Sequence, residues 1–282
     1  MKKSRILIVA VAMIMVMTMF AACGNETTAS ADDESLKRVQ DKGELVLGCD
    51  IHFPPMGFDD NGTVVGFDID LAEAVAEKLG VKLVAKPIDW TAKEMELQSG
   101  KIDVIWNGYT INKDRNGKVE FTKPYLNNAQ MLVTKADSDI KSVKDLEGKT
   151  IGYQSDSAAQ DIFDGSDEIK NAVDNSQMYD DYQKALLDLK TASRIDAVIC
   201  DKVLIEYAMK QEPGVFAICE EPLGTEYFGI GCPQGATALA QAIDKAIDEL
   251  NEDGTIDEIC AKWFGGGNIV IRDVEKLTDK DF

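Results

Sequence analysis

From Leu45 onward, apolar runs of strand length alternate with segments whose apolar residues recur every three or four positions. Residues 44–50 (ELVLGCD) read as a strand, followed by a turn carrying Pro54 and Pro55. Phe67 and Asp68 lead into a helix over 69–79, where Leu71, Val75 and Leu79 share a face and Gly80 stands where a C-terminal cap belongs. Residues 81–87 read as a strand, 91–98 as a helix and 102–106 as a strand. This β-α-β-α-β order needs crossover connections, so the expected sheet is largely parallel. A second, similar unit follows: a strand over 149–153, a helix from Ser157, a helix over 179–190, a strand over 195–200 and a helix over 202–210. A strand over 227–232 and helices over 236–251 and 255–263 complete the pattern. Two α/β units place ligands beyond the carboxyl ends of strands, where helix N-termini offer free N–H groups. The candidate positions are those after Asp50, Trp106, Tyr153 and Cys200.

The segment before this pattern has a different character. Lys2, Lys3 and Arg5 precede an apolar run over 6–22 that only Thr18 interrupts. The run is shorter than the roughly 20 residues of a spanning helix, so it reads as a secretory signal; an uncleaved anchor is the competing reading. Phe20-Ala21-Ala22-Cys23 is similar to a lipobox, with Cys23 as the lipidated new N-terminus and Phe20 where leucine is usual. Residues 1–22 are thus the expected lipoprotein signal peptide and 23–36 an expected flexible tether, small, polar and acidic. The chain after Cys23 is expected outside the cytoplasmic membrane, anchored by lipid.

Composition excludes several functions. The chain has 282 residues, 45% apolar and 28% charged, which is globular. Its 30 basic and 50 acidic residues give a net charge of -20, a poor match for nucleic acid, whose phosphates need a basic face. The single histidine, His52, excludes zinc sites built on two or three histidines, and it reads as a turn residue. Cys49, Cys200, Cys219, Cys232 and Cys260 are an odd set without a CxxC, expected as core-packed thiols. Gly265-Gly266-Gly267 lacks the strand-turn-helix setting of a phosphate loop.

The strand ends carry a recognisable series of motifs. Phe53-Pro54-Pro55 precedes VGFDIDLA over 65–72, LQSGKIDVI over 97–105 and GYTINKDR over 108–115. EFTKPY over 120–125, RIDAVICD over 194–201, Asp253-Gly254-Thr255 and KWFG over 262–265 follow. In order and spacing this series resembles solute-binding protein family 3 of ABC importers, the binders of polar amino acids, from about Leu36 to Gly265. The resemblance implies an α/β, two-lobed type II periplasmic-binding fold with a hinge of two crossing strands. It places lobe 1 at 37–130 and 225–270, lobe 2 at 131–224 and a tail at 271–282. It also implies a monomer that closes over one free amino acid and hands it to a membrane permease, without cofactor, metal or chemistry of its own.

Each residue that the resemblance singles out also has a plainer reading. Arg115 is implied to fork onto the ligand carboxylate; its polar turn taken alone favours a surface arginine, and the family spacing reverses that. Asp201 is implied to accept from the α-ammonium, and before Lys202 it also suits a helix N-cap. Asn107, Gly108 and Thr110 are implied to hold the ammonium and carboxylate, although Asn-Gly alone makes a turn. Ser157 is implied as the second lobe's contact to the carboxylate, or is an ordinary N-cap. Asp156 departs from the glycine usual in the family, and a carboxylate beside a carboxylate site would repel it. Phe53 and Trp90 correspond to the aromatics that sandwich the ligand side chain, though single aromatics more often pack a core. Asp50 stands where relatives contact the side-chain tip, which suits a basic or amide amino acid. Trp106 and Tyr109 are placed to narrow the pocket. A secreted dehydratase on the same fold and a ligand-binding sensor are the alternatives. The first is opposed by the lack of a nucleophile-base motif, the second by the polar-leaning residues after Gly265.

Overall fold

The computed structural model describes residues 33–192, 194–266 and 269–271. The expected signal peptide, the lipidation site Cys23, residues 23–32 of the expected tether and residues 272–282 of the tail lie outside the described residues, while Ser35 and Leu36, expected in the tether, begin a helix. In chain order the elements are α1 (Ser35–Lys42), β1 (Glu44–Cys49), β2 (His52–Phe53), β3 (Gly57–Asp60), β4 (Thr63–Val65), α2 (Phe67–Leu79) and β5 (Lys82–Pro87). A 3-10 turn (Trp90–Ala92), α3 (Lys93–Gln98), β6 (Val104–Thr110), β7 (Val119–Phe121), β8 (Leu126–Lys135) and β9 (Thr150–Gln154) follow. Next come α4 (Ala158–Gly165), α5 (Asp167–Ala172), β10 (Asn175–Tyr179), α6 (Tyr182–Leu187), β11 (Ala197–Asp201) and α7 (Lys202–Gln211). The last are β12 (Phe216–Ile218), β13 (Gly224–Pro233), α8 (Thr237–Glu252) and α9 (Thr255–Phe264).

One ten-stranded sheet runs through the molecule in the order β10-β9-β11-β8-β13-β6-β1-β5, with β12 added to β8 and β7 to β13. The two α/β units are its two ends. On one side β5, β1 and β6 are mutually parallel; on the other β10, β9 and β11 are. Between them β8 and β13 pair antiparallel, Gly224 opposite Gln130 through Phe228 opposite Leu126. These are the two long strands that join the lobes. The sheet is therefore mixed rather than largely parallel, because its middle is made of the crossing strands. β2, β3 and β4 form a small separate sheet.

Several elements escape periodicity for physical reasons. β8 carries Asn127, Asn128 and Gln130 among its apolar residues, which breaks the alternation expected of a strand. β10 (NSQMY) is exposed at four of five positions, so it has no apolar face to detect. The helix expected over 179–190 is divided. β10 ends at Tyr179, and Asp181 starts α6 by accepting the Lys184 N–H at 2.8 Å. α2 begins two residues before the expected start. Gly66 precedes it with φ 148, and a Cβ there would stand 2.2 Å from the Met56 carbonyl oxygen, so only glycine fits. Cys49, Cys200, Cys219, Cys232 and Cys260 are all buried, and burial pushes the Cys49 thiol up to about 12.

Candidate ligand-binding site

β6 is buried at all seven positions and ends in the residues that shape one wall of a cavity. Gly108 adopts φ 59, and a Cβ there would lie 2.5 Å from Cε1 of Phe53. The position needs glycine both for its left-handed backbone and for the approach of the ring. Asp68 of α2 fixes this turn from behind. Fully buried, its carboxylate accepts the Gly108 N–H at 2.8 Å and the Tyr125 hydroxyl at 2.7 Å. Burial pushes Asp68 up to about 7, against the pull of those two donors.

All nine expected ligand residues line this cavity of about 290 Å³, together with Gln154, Ala158 and Tyr182. Arg115 is not a surface residue: it is 5% exposed, its Nη1 donates to the Thr110 carbonyl at 2.9 Å, and its Cζ lies 4.6 Å from the Tyr109 ring centroid. Among the described residues no carboxylate forms an ion pair with it. A buried guanidinium without a counter-ion is costly, and a bound anion would relieve it.

Asp201 ends β11 and is 4% exposed. The helix-cap reading fails, because its side chain makes no capping bond. Asn128 supplies the cap instead. Its Oδ1 accepts the Val203 N–H at 3.3 Å, while its Nδ2 donates to Asp201 at 2.7 Å. Gln130 adds a donor to Asp201 at 2.9 Å, and both amides also reach Glu226. Burial, and then the charge of Glu226, push the Asp201 carboxyl well above its ordinary range. An ammonium brought alongside would reverse both effects.

Ser157 is an N-cap and a cavity residue at once. Its Oγ accepts from the Gln160 N–H at 3.4 Å and donates to the Gln154 carbonyl at 2.7 Å. Asn107 accepts the Asp50 N–H at 3.0 Å through Oδ1, while its buried Nδ2 has no partner among the described residues. Trp90 packs edge-on to Tyr109 at 6.0 Å. Phe53 stands 5.7 Å from the ring of Tyr182, an aromatic contact that joins β2 to α6. Trp106 is fully buried away from the lining and packs against Tyr125, so it does not narrow the pocket directly.

Asp50 is more occupied than expected. Its carboxylate accepts from Gln154 Nε2 at 2.7 Å and from the His52 N–H at 2.9 Å, and His52 Nδ1 lies 3.2 Å away. Burial pushes its pKa up and these partners draw it back. Asp156 does not stand as an uncompensated charge beside the carboxylate site. It adopts φ 55, the conformation that suits the family glycine, and its carboxylate pairs with Lys93.

Sequence reasoning passed over three residues. Gln154 and Tyr182 line the cavity, and Tyr182, 2% exposed, has a hydroxyl with no hydrogen-bond partner among the described residues. Gln154 follows the strand read over 149–153, at a position marked for ligands without the residue being singled out, and Tyr182 fell within the segment read as a helix over 179–190. Lys93 lies behind Trp90 with no side-chain exposure, and in a polar helix of the sequence it carries no signal of burial.

One cavity is thus lined by a buried guanidinium, a buried carboxyl and aromatic rings, in a fold whose two α/β ends are joined by β8 and β13. The chain belongs to the bacterial extracellular solute-binding proteins, family 3, which it matches over residues 45–266. It is 31% identical to the L-cystine-binding protein TcyJ of Escherichia coli K12 over 257 residues, 90% of this chain and 95% of that protein. It is similar in structure to a substrate-binding protein of an ABC uptake transporter from Streptococcus pneumoniae with bound histidine. The TM-score is 0.81 at 39% identity, covering 86% of this chain and 99% of the other. An ancestral arginine-binding protein bound to glutamine gives a TM-score of 0.73 at 41% identity, covering 79% and 98%.

Proposed function

We propose that this chain captures a free L-α-amino acid outside the cytoplasmic membrane and delivers it to the permease of an ABC importer, without transforming it. The ligand carboxylate binds Arg115, Thr110 and Ser157, and the ammonium binds Asp201 beside the Asn107-Gly108 backbone. The side chain lies against Phe53 and Trp90 and reaches toward Asp50 and Gln154. The observation that carries this reading is the pairing in one cavity of Arg115, buried with no carboxylate in ion-pair contact among the described residues, and Asp201, a buried carboxyl destabilised in its ionised form. The two head groups of an amino acid answer both. The relatives are named for cystine, arginine and histidine, and those ligands with glutamine form the first panel to test.

In this reading lobe 1 comprises 37–130 and 225–270 and lobe 2 comprises 131–224. The crossing of β8 and β13 at those limits supports the division. The protein acts as a monomer held to the membrane by lipid on Cys23. Isothermal titration with L-arginine, L-histidine, L-glutamine and L-cystine tests capture: one-to-one binding of at least one is expected, and heat from none of them contradicts it.

A further inference from the structure

Around the cavity, side-chain contacts tie the lobe that carries β1, β5 and β6 to the lobe that carries β9–β11. Gln154 meets Asp50, Asn112 donates to Asp161 at 3.0 Å, Tyr182 meets Phe53, and Lys93 meets Asp156. The last differs in kind. Among the described residues it is the one ion pair that joins the two lobes, and its lysine side chain has no exposure at all. Lysine is almost never fully buried unless paired. Lys93 Nζ also donates to the Asp156 carbonyl at 3.0 Å and the Trp90 carbonyl at 3.2 Å, and it sits 5.0 Å from the centroid of the Trp90 ring. Both groups of Asp156 are thus directed to a lysine behind an aromatic wall of the cavity.

The backbone of Asp156 shows that this contact has a cost. A non-glycine residue at φ 55 is strained relative to glycine, though Asp and Asn tolerate that region better than most. The Asp156 N–H is retained by Gln160 Oε1 at 2.8 Å, so the loop does not need the carboxylate to hold its shape. The carboxylate serves the other lobe.

We propose that Lys93 and Asp156 form a latch between the lobes that sets how long a bound amino acid is held. The inference rests on the amino-acid-binding reading above. When the lobes part, Asp156 leaves with α4, and Lys93 keeps the Trp90 carbonyl and Glu94, which lies 3.5 Å away. Burial, and then the charge of Arg115, push the Lys93 ammonium down from its ordinary range, while Glu94 and Asp156 draw it back up. Closure adds the Asp156 carboxylate to that of Glu94 beside it. A contact present only in the closed form shifts the closing equilibrium, and apparent affinity follows the closed fraction. Neither residue is among those lining the cavity, so the pair acts on retention of every ligand alike and not on selectivity.

The test uses Asp156→Asn and Asp156→Gly, which remove the charge while keeping a residue that accepts the left-handed backbone. Release of L-arginine, L-histidine, L-glutamine and L-cystine is followed by stopped-flow fluorescence, with calorimetry for Kd. The latch predicts release about tenfold faster in both variants, association within about threefold of wild type, and an unchanged melting temperature without ligand in Asp156→Asn, whereas Asp156→Gly also relieves the backbone strain. Lys93→Met combined with Asp156→Asn should lose no more than either alone. Release within twofold of wild type in both Asp156 variants overturns the latch and leaves amino-acid binding standing. Failure of the wild-type protein to bind any of the four overturns the reading on which the latch rests.

Discussion

Gln154 Nε2 donates to Asp50 at 2.7 Å and to the Asp180 carbonyl at 3.0 Å, so the amide at the end of β9 has both of its N–H groups engaged beside the cavity. Asp50 therefore meets a ligand with one oxygen already engaged by Gln154 and the other by His52. What the pair still offers to a side chain is acceptor capacity, which favours basic or amide amino acids and penalises acidic ones. Asp50→Asn should cost L-arginine about tenfold more than L-glutamine, and Gln154→Met, by releasing Asp50, should widen the preference for L-arginine. Competition calorimetry with L-glutamate and L-leucine checks this; a preference for either would defeat the argument.

Tyr182→Phe separates stability from binding. Among the described residues the buried hydroxyl makes no hydrogen bond of good geometry, though Ser157 and Asp201 are close enough to act on it, and an unsatisfied buried polar group costs about 1–3 kcal/mol. The ligand-free variant should melt at a higher temperature than wild type. If the hydroxyl serves the ligand, affinity falls about tenfold in the same variant. Unchanged affinity would mark Tyr182 as an aromatic wall only.

Asp201 gives a pH prediction whose sign is set by burial. Its folded pKa is raised above the ordinary value of 3.8, so the folded state binds the proton more tightly than the unfolded chain. Stability from this group is complete below about pH 4 and declines as pH rises toward its folded pKa. Asp201→Asn, which cannot ionise, should exceed wild type in ligand-free melting temperature at pH 7, with the gap closing toward pH 4. The variant should also bind amino acids more weakly. A gap that does not change with pH would contradict the burial argument.

Much of the site was legible because strand ends are where an α/β chain puts ligands. Asp50, Ser157 and Asp201 stand at or just beyond such ends; Asn107 and Gly108 follow the strand read over 102–106, although β6 continues through them to Thr110; and family spacing brought Phe53, Trp90, Thr110 and Arg115 to the same cavity. The middle of the sheet was not legible. Asn128 and Gln130 make β8 look polar, yet they are buried to serve Asp201 and the cap of α7. Lys93 and Asp156 could not be joined from sequence, since 63 residues separate them and only the packing of two lobes brings them together.

The lipid anchor is tested apart from the fold. Wild-type protein should partition with membranes and incorporate a fatty-acid probe, and Cys23→Ala should abolish both. Labelling of Cys23→Ala at its N-terminus would remove the lipoprotein reading.

The central claim is that Arg115 receives the carboxylate of an amino acid held in the cleft. Calorimetry of wild type and Arg115→Ala against L-arginine, L-histidine, L-glutamine and L-cystine tests it most directly. The account predicts one-to-one binding by the wild type and a loss of about 30- to several-thousand-fold in Arg115→Ala, from about 2–5 kcal/mol for a truncated buried charge pair. Equal affinity of the two proteins for the same amino acid would contradict it.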